Sequence, residues 1–374
     1  MEITLERESF LTVLSRCQGV VDRRHSMTVL TNLVIETDSD SVVVLASDLE
    51  IGLRQSCPAQ VKKPGVVAVS ARKLFEVVRE APEGSDLKIK ILKNSWVEVA
   101  YGRSDFKLMG IDPSDHPGVS DSPGNGSDTT VLSFKVNDLL DMIQKTIFAV
   151  STDDTRSNLA GIYMESATNG DLLRMVATDG HRLAMIEKKN SSGEIPTGVI
   201  LPRKGLNETA RILTDMDPEA DVKLSITGNE AFLEAGHAIM SMRLVEGNFP
   251  DYNQVVPKKV PHLMVAERDS LLQTVRRVSL LSSEWARGIK FSVQENSLEV
   301  SANNPDLGEA SEDVKVKYGG DEIEIGFNSR YLLDVLNVLP NNEKVEISFK
   351  DQLSPGVVRG VDKGYCYVVM PMRI

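Results

Sequence analysis

The sequence predicts an α+β protein of three repeated domains, each with two helices packed on antiparallel sheets. Two observations carry this. Six amphipathic stretches of helical period occur in the 374 residues, and alternate members recur roughly 130 residues apart, a repeat of domain size. Segments that run an apolar strand into a polar turn and out again keep the same spacing. Few helices among many short strands is the pattern of helices covering one face of antiparallel sheets.

The helical stretches are SFLTVLSRCQGVV from Ser9, SARKLFEVVREAP from Ser70, NDLLDMIQKTIFAV from Asn137, PRKGLNETARILTDM from Pro202, RDSLLQTVRRVSLL from Arg268 and NSRYLLDVLNVLP from Asn328. Several open on Ser, Asn or Pro, whose side chains or fixed φ suit a first helical turn. Between them come the strand pairs VVVLASDLEIGLR, LLRMVATDGHRLAMI and LEVSANNPDLGEASE, with turns at Asp48, Asp179 and Asn304. Later in each repeat a Gly precedes a further strand, in GRSDFKLMGID, GHAIMSMRLVEGNFPDY and GYCYVVMPMRI. Residues 115–130, rich in Gly, Ser, Asp and Pro, read as a linker, and VVPKKVP as a shorter, stiffer one. The expected domains are residues 1–122, 129–254 and 256–374.

Composition narrows the function. Apolar residues make up 41% and charged residues 26%, ordinary for a globular protein. No stretch approaches the ~18 apolar residues of a membrane span. MEITLERESF carries acids where a signal peptide needs a basic start, so a cytoplasmic protein with no membrane association is expected. Cys17, Cys57 and Cys366 are odd in number and far apart, which reads as reduced core thiols and not as metal ligands. No phosphate-binding glycine loop, dinucleotide fingerprint or metal-ligand cluster occurs, so no cofactor is expected. The net charge of −12 argues against a uniformly basic nucleic-acid binder. Basic residues gathered on one surface remain compatible with it.

On a helical wheel, Phe10, Leu11, Leu14 and Cys17 form one apolar stripe and Leu271, Leu272, Val275 and Val278 another. Arg16, Lys73, Arg79, Lys145, Lys204, Arg211, Arg276 and Arg277 lie off the stripes, among acids such as Glu76, Asp141 and Asp334. They read either as solvated faces or, if equivalent helices line one surface, as a basic track for phosphates.

The segment VATDGHRLAM holds the one chemical constellation. Asp179 and His181 would suit general acid–base work if the carboxylate oriented the imidazole. Flanked by apolar runs, TDGH also reads as a hairpin turn, with Asp and Gly supplying the turn conformations. The other two copies of the turn lack the His. A repeat-built peptide or glycan-binding module is a further alternative.

The three-repeat plan, VATDGHRLAM, PRKG from Pro202, GNFPDY from Gly247, ANNP from Ala302 and the terminal YVVMPMRI resemble the bacterial DNA polymerase III beta subunit family, the replicative sliding clamps. The resemblance spans the whole chain. It implies the DNA clamp fold, a head-to-tail homodimeric ring of six pseudo-equivalent domains around double-stranded DNA, and no catalysis by the clamp itself. Implied partners are the DNA polymerase III alpha subunit and other polymerases, an ATP-dependent clamp loader, and mismatch-repair and ligation factors bearing short linear motifs. The implied peptide groove comprises Arg156, Leu159, Thr178, Gly180, His181, Arg182, Leu183, Pro250, Val255, Asn328 and Tyr331, with Ser354, Val368, Val369, Met370, Pro371, Met372 and Arg373. Ser157, Asn158, Gln254 and Ala286 depart from the family's better-known pattern, which bears on peptide preference. The implied DNA-binding positions are Arg24, Arg72, Lys73, Arg203 and Lys204. The implied ring joint pairs Phe106 and Leu108 with Leu280 and Leu281 of a second copy, and sets basic Lys73 and Arg103 against acidic Glu309, Glu312 and Asp313.

Overall fold

The computed structural model describes residues 1–21, 27–120, 129–153, 155–167, 170–190, 192–257, 260–283 and 286–373. All six expected helices are present: α1 (Arg7–Val20), α2 (Ala71–Arg79), α3 (Val136–Gln144), α4 (Arg203–Thr214), α5 (Arg268–Val278) and α6 (Ser329–Val338). Each follows directly on a strand. The Ser70 side chain accepts the Lys73 N–H and Asn328 accepts the Arg330 N–H, so both act as the helix caps their positions predict. Ser9 does not start a helix. α1 begins at Arg7, and the Ser9 hydroxyl donates to the Glu6 carboxylate. The stripes are buried as expected in α5, while in α1 Val13 and Val20 join the core and Leu11 is only half-buried.

The chain divides into two compact units, Met1–Leu140 with Ser191–Glu194 and Lys204–Leu244, and Asp141–Asn190 with Ile195–Arg203 and Val245–Ile374. Among the described residues the first unit holds two sheets. One has the order Gln60–Lys63, Glu2–Glu6, Asp86–Ile91, Val97–Tyr101, Ser104–Leu108; the other runs Gly110–Ile111, Val66–Ser70, Asn32–Asp38, Ser41–Ser47, Ile51–Pro58, Ala238–Arg243, Glu230–Ala235, Asp221–Thr227, Thr130–Lys135. Among the described residues the second unit holds one sheet, ordered Val199–Pro202, Gly161–Ala167, Leu172–Thr178, Arg182–Lys189, Tyr365–Val369, Gly356–Arg359, Lys344–Phe349, His262–Glu267, Gly308–Lys317, Ser297–Asn304, Gly288–Gln294, Ile323–Asn328. Every named pairing is antiparallel.

The compact units cut across the central repeat. Its strand Ala238–Arg243 pairs with Ile51–Pro58, Met240 opposite Leu53, and its strand Arg182–Lys189 pairs with Tyr365–Val369, Ala184 opposite Tyr367. Backbone hydrogen bonds thus carry a sheet through each repeat junction, and each half of the central repeat shares a core with the neighbour it pairs with. Among the described residues no helix is long and apolar enough to cross a membrane.

Candidate functional site

Two of the three expected turns are built alike, and the third keeps one of their bonds. In VATDGHRLAM, Asp179 Oδ1 accepts the N–H groups of His181 and Arg182 at 2.9 and 3.0 Å, and the Thr178 hydroxyl accepts the Gly180 N–H and donates to the Arg182 carbonyl. Asp48 and Ser47 make the same bonds to Glu50, Ile51 and Leu49. In the third turn Asn304 accepts the Asp306 N–H. A carboxylate or amide that satisfies the turn's own donors is why Asp or Asn stands there.

This geometry removes the acid–base reading. Asp179 Oδ2 receives the Arg182 guanidinium at 3.0 Å, so both carboxylate oxygens serve the turn and Arg182. His181 is exposed. Arg182 itself is buried, pairs with Asp334 at 2.6 Å, donates to the Phe148 carbonyl, and lies between the rings of Phe148 and Tyr331. Its neighbours hold the guanidinium charged against its desolvation. Arg182 is therefore a buried post that fixes the turn.

Beside the turn is an apolar hollow of about 190 Å³, lined by Leu159, Thr178, Gly180, His181, Arg182, Leu183, Pro250, Asp251, Tyr252, Val255, Val368 and Met370. Its floor, Leu183 and Val368, belongs to a core cluster with Val176, Tyr252, Val357 and Cys366. Met370 and Val255 stand at the rim, 38% and 43% exposed. The strand after the turn and the terminal strand meet where Met370 N–H donates to the His181 carbonyl at 2.9 Å. Tyr252 is fixed from behind, its hydroxyl donating to Glu165 and accepting from Arg174, which also binds Glu187. Burial raises the Tyr252 phenol's pKa, so it stays protonated at neutral pH.

A second, polar hollow of about 250 Å³ shares His181 and Arg182 and adds Asp153, Arg156, Arg203, Arg330 and Tyr331. A third, about 330 Å³, takes in Met372 and Arg373 with Lys290, Glu324 and Gln352. Most of the expected groove residues are thus spread over three hollows, the apolar one holding the largest share, while Asn328, Ser354, Val369 and Pro371 line none of them. Three of these four have other local roles. Val369 is fully buried and, by strand alternation, points opposite to Val368 and Met370, toward Gly356. Asn328 spends its side chain capping α6, and the Ser354 hydroxyl is bound to Asp351. Asp251 and Tyr252 were missed, although GNFPDY contains them. Only the fold brings that irregular segment against the turn.

Of the DNA-binding positions, Arg24 lies outside the described residues. Arg72 and Lys73 are exposed, and both bind Glu76, Lys73 foremost holding its carboxyl down at about 2. Lys204 is tied to Asp48 and to the Val20 carbonyl, and Arg203 is half-buried. Lys145, placed off its stripe, is buried between Asp141 and Asp362. Several off-stripe cations are therefore already partnered within the chain.

At the expected joint, Ser104–Leu108 is the last strand of its sheet, with Phe106 stacked on Tyr101 and half-buried. In the other unit, the strand Gly308–Lys317 meets His262–Glu267 only through Val316 and Lys317, so residues 308–315 carry an open edge. Leu280 is 75% exposed. Glu309 and Asp313 are exposed, but Glu312 is held by Arg277 and Thr274 of its own chain, and the Arg277 bond lowers its pKa. Lys73 and Glu312 thus each have an intrachain partner, where the resemblance paired them across copies.

Burial pushes the Cys17 thiol up to about 12 and Cys57 up to about 11, and raises Cys366, so all three are protonated core residues.

Models of the N-terminal, central and C-terminal domains of the DNA polymerase III beta subunit match residues 1–120, 133–251 and 253–373. The chain is 35% identical over 379 residues to the beta sliding clamp of Caulobacter vibrioides and 35% over 376 residues to that of Escherichia coli, with 100% of each chain covered. A crystal structure of a DnaN sliding clamp from Pseudomonas aeruginosa bound to griselimycin matches with a TM-score of 0.91 at 35% identity, and a DNA polymerase sliding clamp from Caulobacter crescentus with 0.89 at 34%, each over 100% of both chains.

Proposed function

Because this chain belongs to the DNA polymerase III beta subunit family of sliding clamps, we propose that two copies close head to tail into a ring around duplex DNA and tether polymerases there. The ring acts by topology, without chemistry of its own, in the cytoplasm. A clamp loader that spends its own ATP opens it. The DNA polymerase III alpha subunit, other polymerases, and mismatch-repair and ligation factors reach it through short linear motifs.

The observation that carries the tethering role is the apolar hollow walled by Pro250, Tyr252 and Met370 on a floor of Leu183 and Val368. It suits a peptide with Leu and Phe anchors, each worth ~1.5–3 kcal/mol on burial. Ordering and association take back part of this, leaving an affinity near micromolar, about −8 kcal/mol. The adaptable Met370 side chain suits several partners. Calorimetry of a polymerase-tail peptide tests the reading. Met370→Asp is expected to abolish binding while thermal stability and oligomeric state stay unchanged; unchanged affinity in that variant refutes the groove.

A further inference from the structure

The first repeat junction carries a cleft assembled at the same positions of the repeat as the groove. Its turn, Asp48-Leu49-Glu50, makes the bonds made by Asp179-Gly180-His181. Arg243 N–H donates to the Glu50 carbonyl at 2.8 Å, as Met370 N–H does to His181 at 2.9 Å. Gly52 faces Ser241 across the strands where Leu183 faces Val368. Pro117-Gly118-Val119 supplies the wall that Pro250-Asp251-Tyr252 supplies in the groove. The cleft is open, about 310 Å³.

Its chemistry is different at the matching positions. The apolar floor pair is replaced by Gly52 and Ser241, His181 by Glu50 and Met370 by Arg243, and Glu230 and Asn229 add further polar groups. The floor has lost the surface that would hold Leu and Phe anchors. Gly180, at φ 89°, is matched by Leu49 at φ 80°, a left-handed conformation that a non-glycine residue holds only at a cost. Leu49 is nonetheless 52% exposed at the mouth. An aliphatic lip beside Glu50 and Glu230, which outnumber Arg243 in the lining, is the environment a long basic side chain fits, its stem along the Leu and its head at the acids. The same carboxylates repel phosphates.

We propose that this cleft is a second peptide-binding site of the chain, selective for an extended segment carrying a Lys or Arg. The reading of the groove as a peptide site underlies this inference, and a Met370→Asp arm separates the two. The probe is a benzophenone-tagged hexapeptide with one Lys and one Arg among Gly and Ser, photo-cross-linked to the full-length protein and mapped by mass spectrometry. Labelling is expected within residues 49–52 or 117–120. It should fall about tenfold in Glu50→Gln with Glu230→Gln, which removes charge-assisted bonds but keeps the side-chain volumes. It should persist in Met370→Asp and be absent when the peptide's cations are replaced by Glu. The proposal is overturned by no labelling of these residues, by labelling indifferent to the double variant or to the peptide's charge, or by labelling lost only in Met370→Asp.

Discussion

Replacing Arg182 with Ala would take the shared cation from partly buried Asp179 and Asp334, leaving Asp179 its turn N–H groups and Asp334 only Arg330 at 4.0 Å, and would remove the plane that packs against Phe148 and Tyr331. Breaking a buried pair from one side costs about 3–5 kcal/mol, because the remaining charge is uncompensated. Arg182→Ala is therefore expected to lower unfolding free energy by that order in urea titrations. Arg182→Lys should restore only part of it, since an ammonium cannot make the same forked set of bonds. A loss under 1 kcal/mol for the Ala variant would mean that Arg182 is not the post that fixes the turn. His181, exposed on the same turn, should tolerate Ala without measurable loss of stability.

At the scale of elements, α1 and α4 meet where Glu208 lies against Gly19. A Cβ at Gly19 would fall 1.8 Å from Glu208 Oε2, so only Gly leaves room for the carboxylate as it stands. Burial raises the pKa of Glu208, and Arg211 only partly offsets this. An acid whose folded pKa lies above its unfolded value binds protons more tightly when folded. Its ionisation costs stability as pH rises from the unfolded toward the folded pKa, and the penalty is complete above both. Glu208→Gln is therefore expected to be more stable than the parent at pH 7 and to converge with it near pH 4. A difference that does not change across that range would show that Glu208 is not paying a desolvation cost.

At the scale of the whole molecule, the ring reading makes two demands. The strand Ser104–Leu108 and the open edge at residues 308–315 offer unpaired backbone groups, the usual template for association with another chain. Phe106→Asp with Leu281→Asp is expected to convert a dimer to folded monomers by analytical ultracentrifugation, because a buried unpaired charge at a joint costs several kcal/mol. A dimer that survives at nanomolar concentration would place the joint elsewhere. Clamps loaded on nicked circular DNA with a matched loader should be retained and then lost when the circle is cut. Retention on linear DNA with free ends would mean that contact, not topology, holds the protein. Direct binding without a loader should be weak and fall steeply with salt.

The six helices, the turns and the repeat were legible because periodicity and turn chemistry act over a few residues: Ser70 and Asn328 cap their helices, and Asp48 and Asp179 close their turns, through partners two or three positions away. The thiols were legible from their odd number and wide separation, which leave no paired ligand nearby. The tertiary structure alone decided which side chains share a hollow and which cations are free. Nothing local to the turn shows that Arg182 is buried against Asp334, 152 residues along the chain. Lys145 reads as solvated and is enclosed by Asp362. Tyr252 becomes a wall only because Arg174 and Glu165 hold its hydroxyl from behind. Hydrophobic pattern fixes the face a residue prefers locally, whereas long-range ion pairs and strand pairing across repeat junctions depend on which distant segments are brought together, and no local signal encodes that.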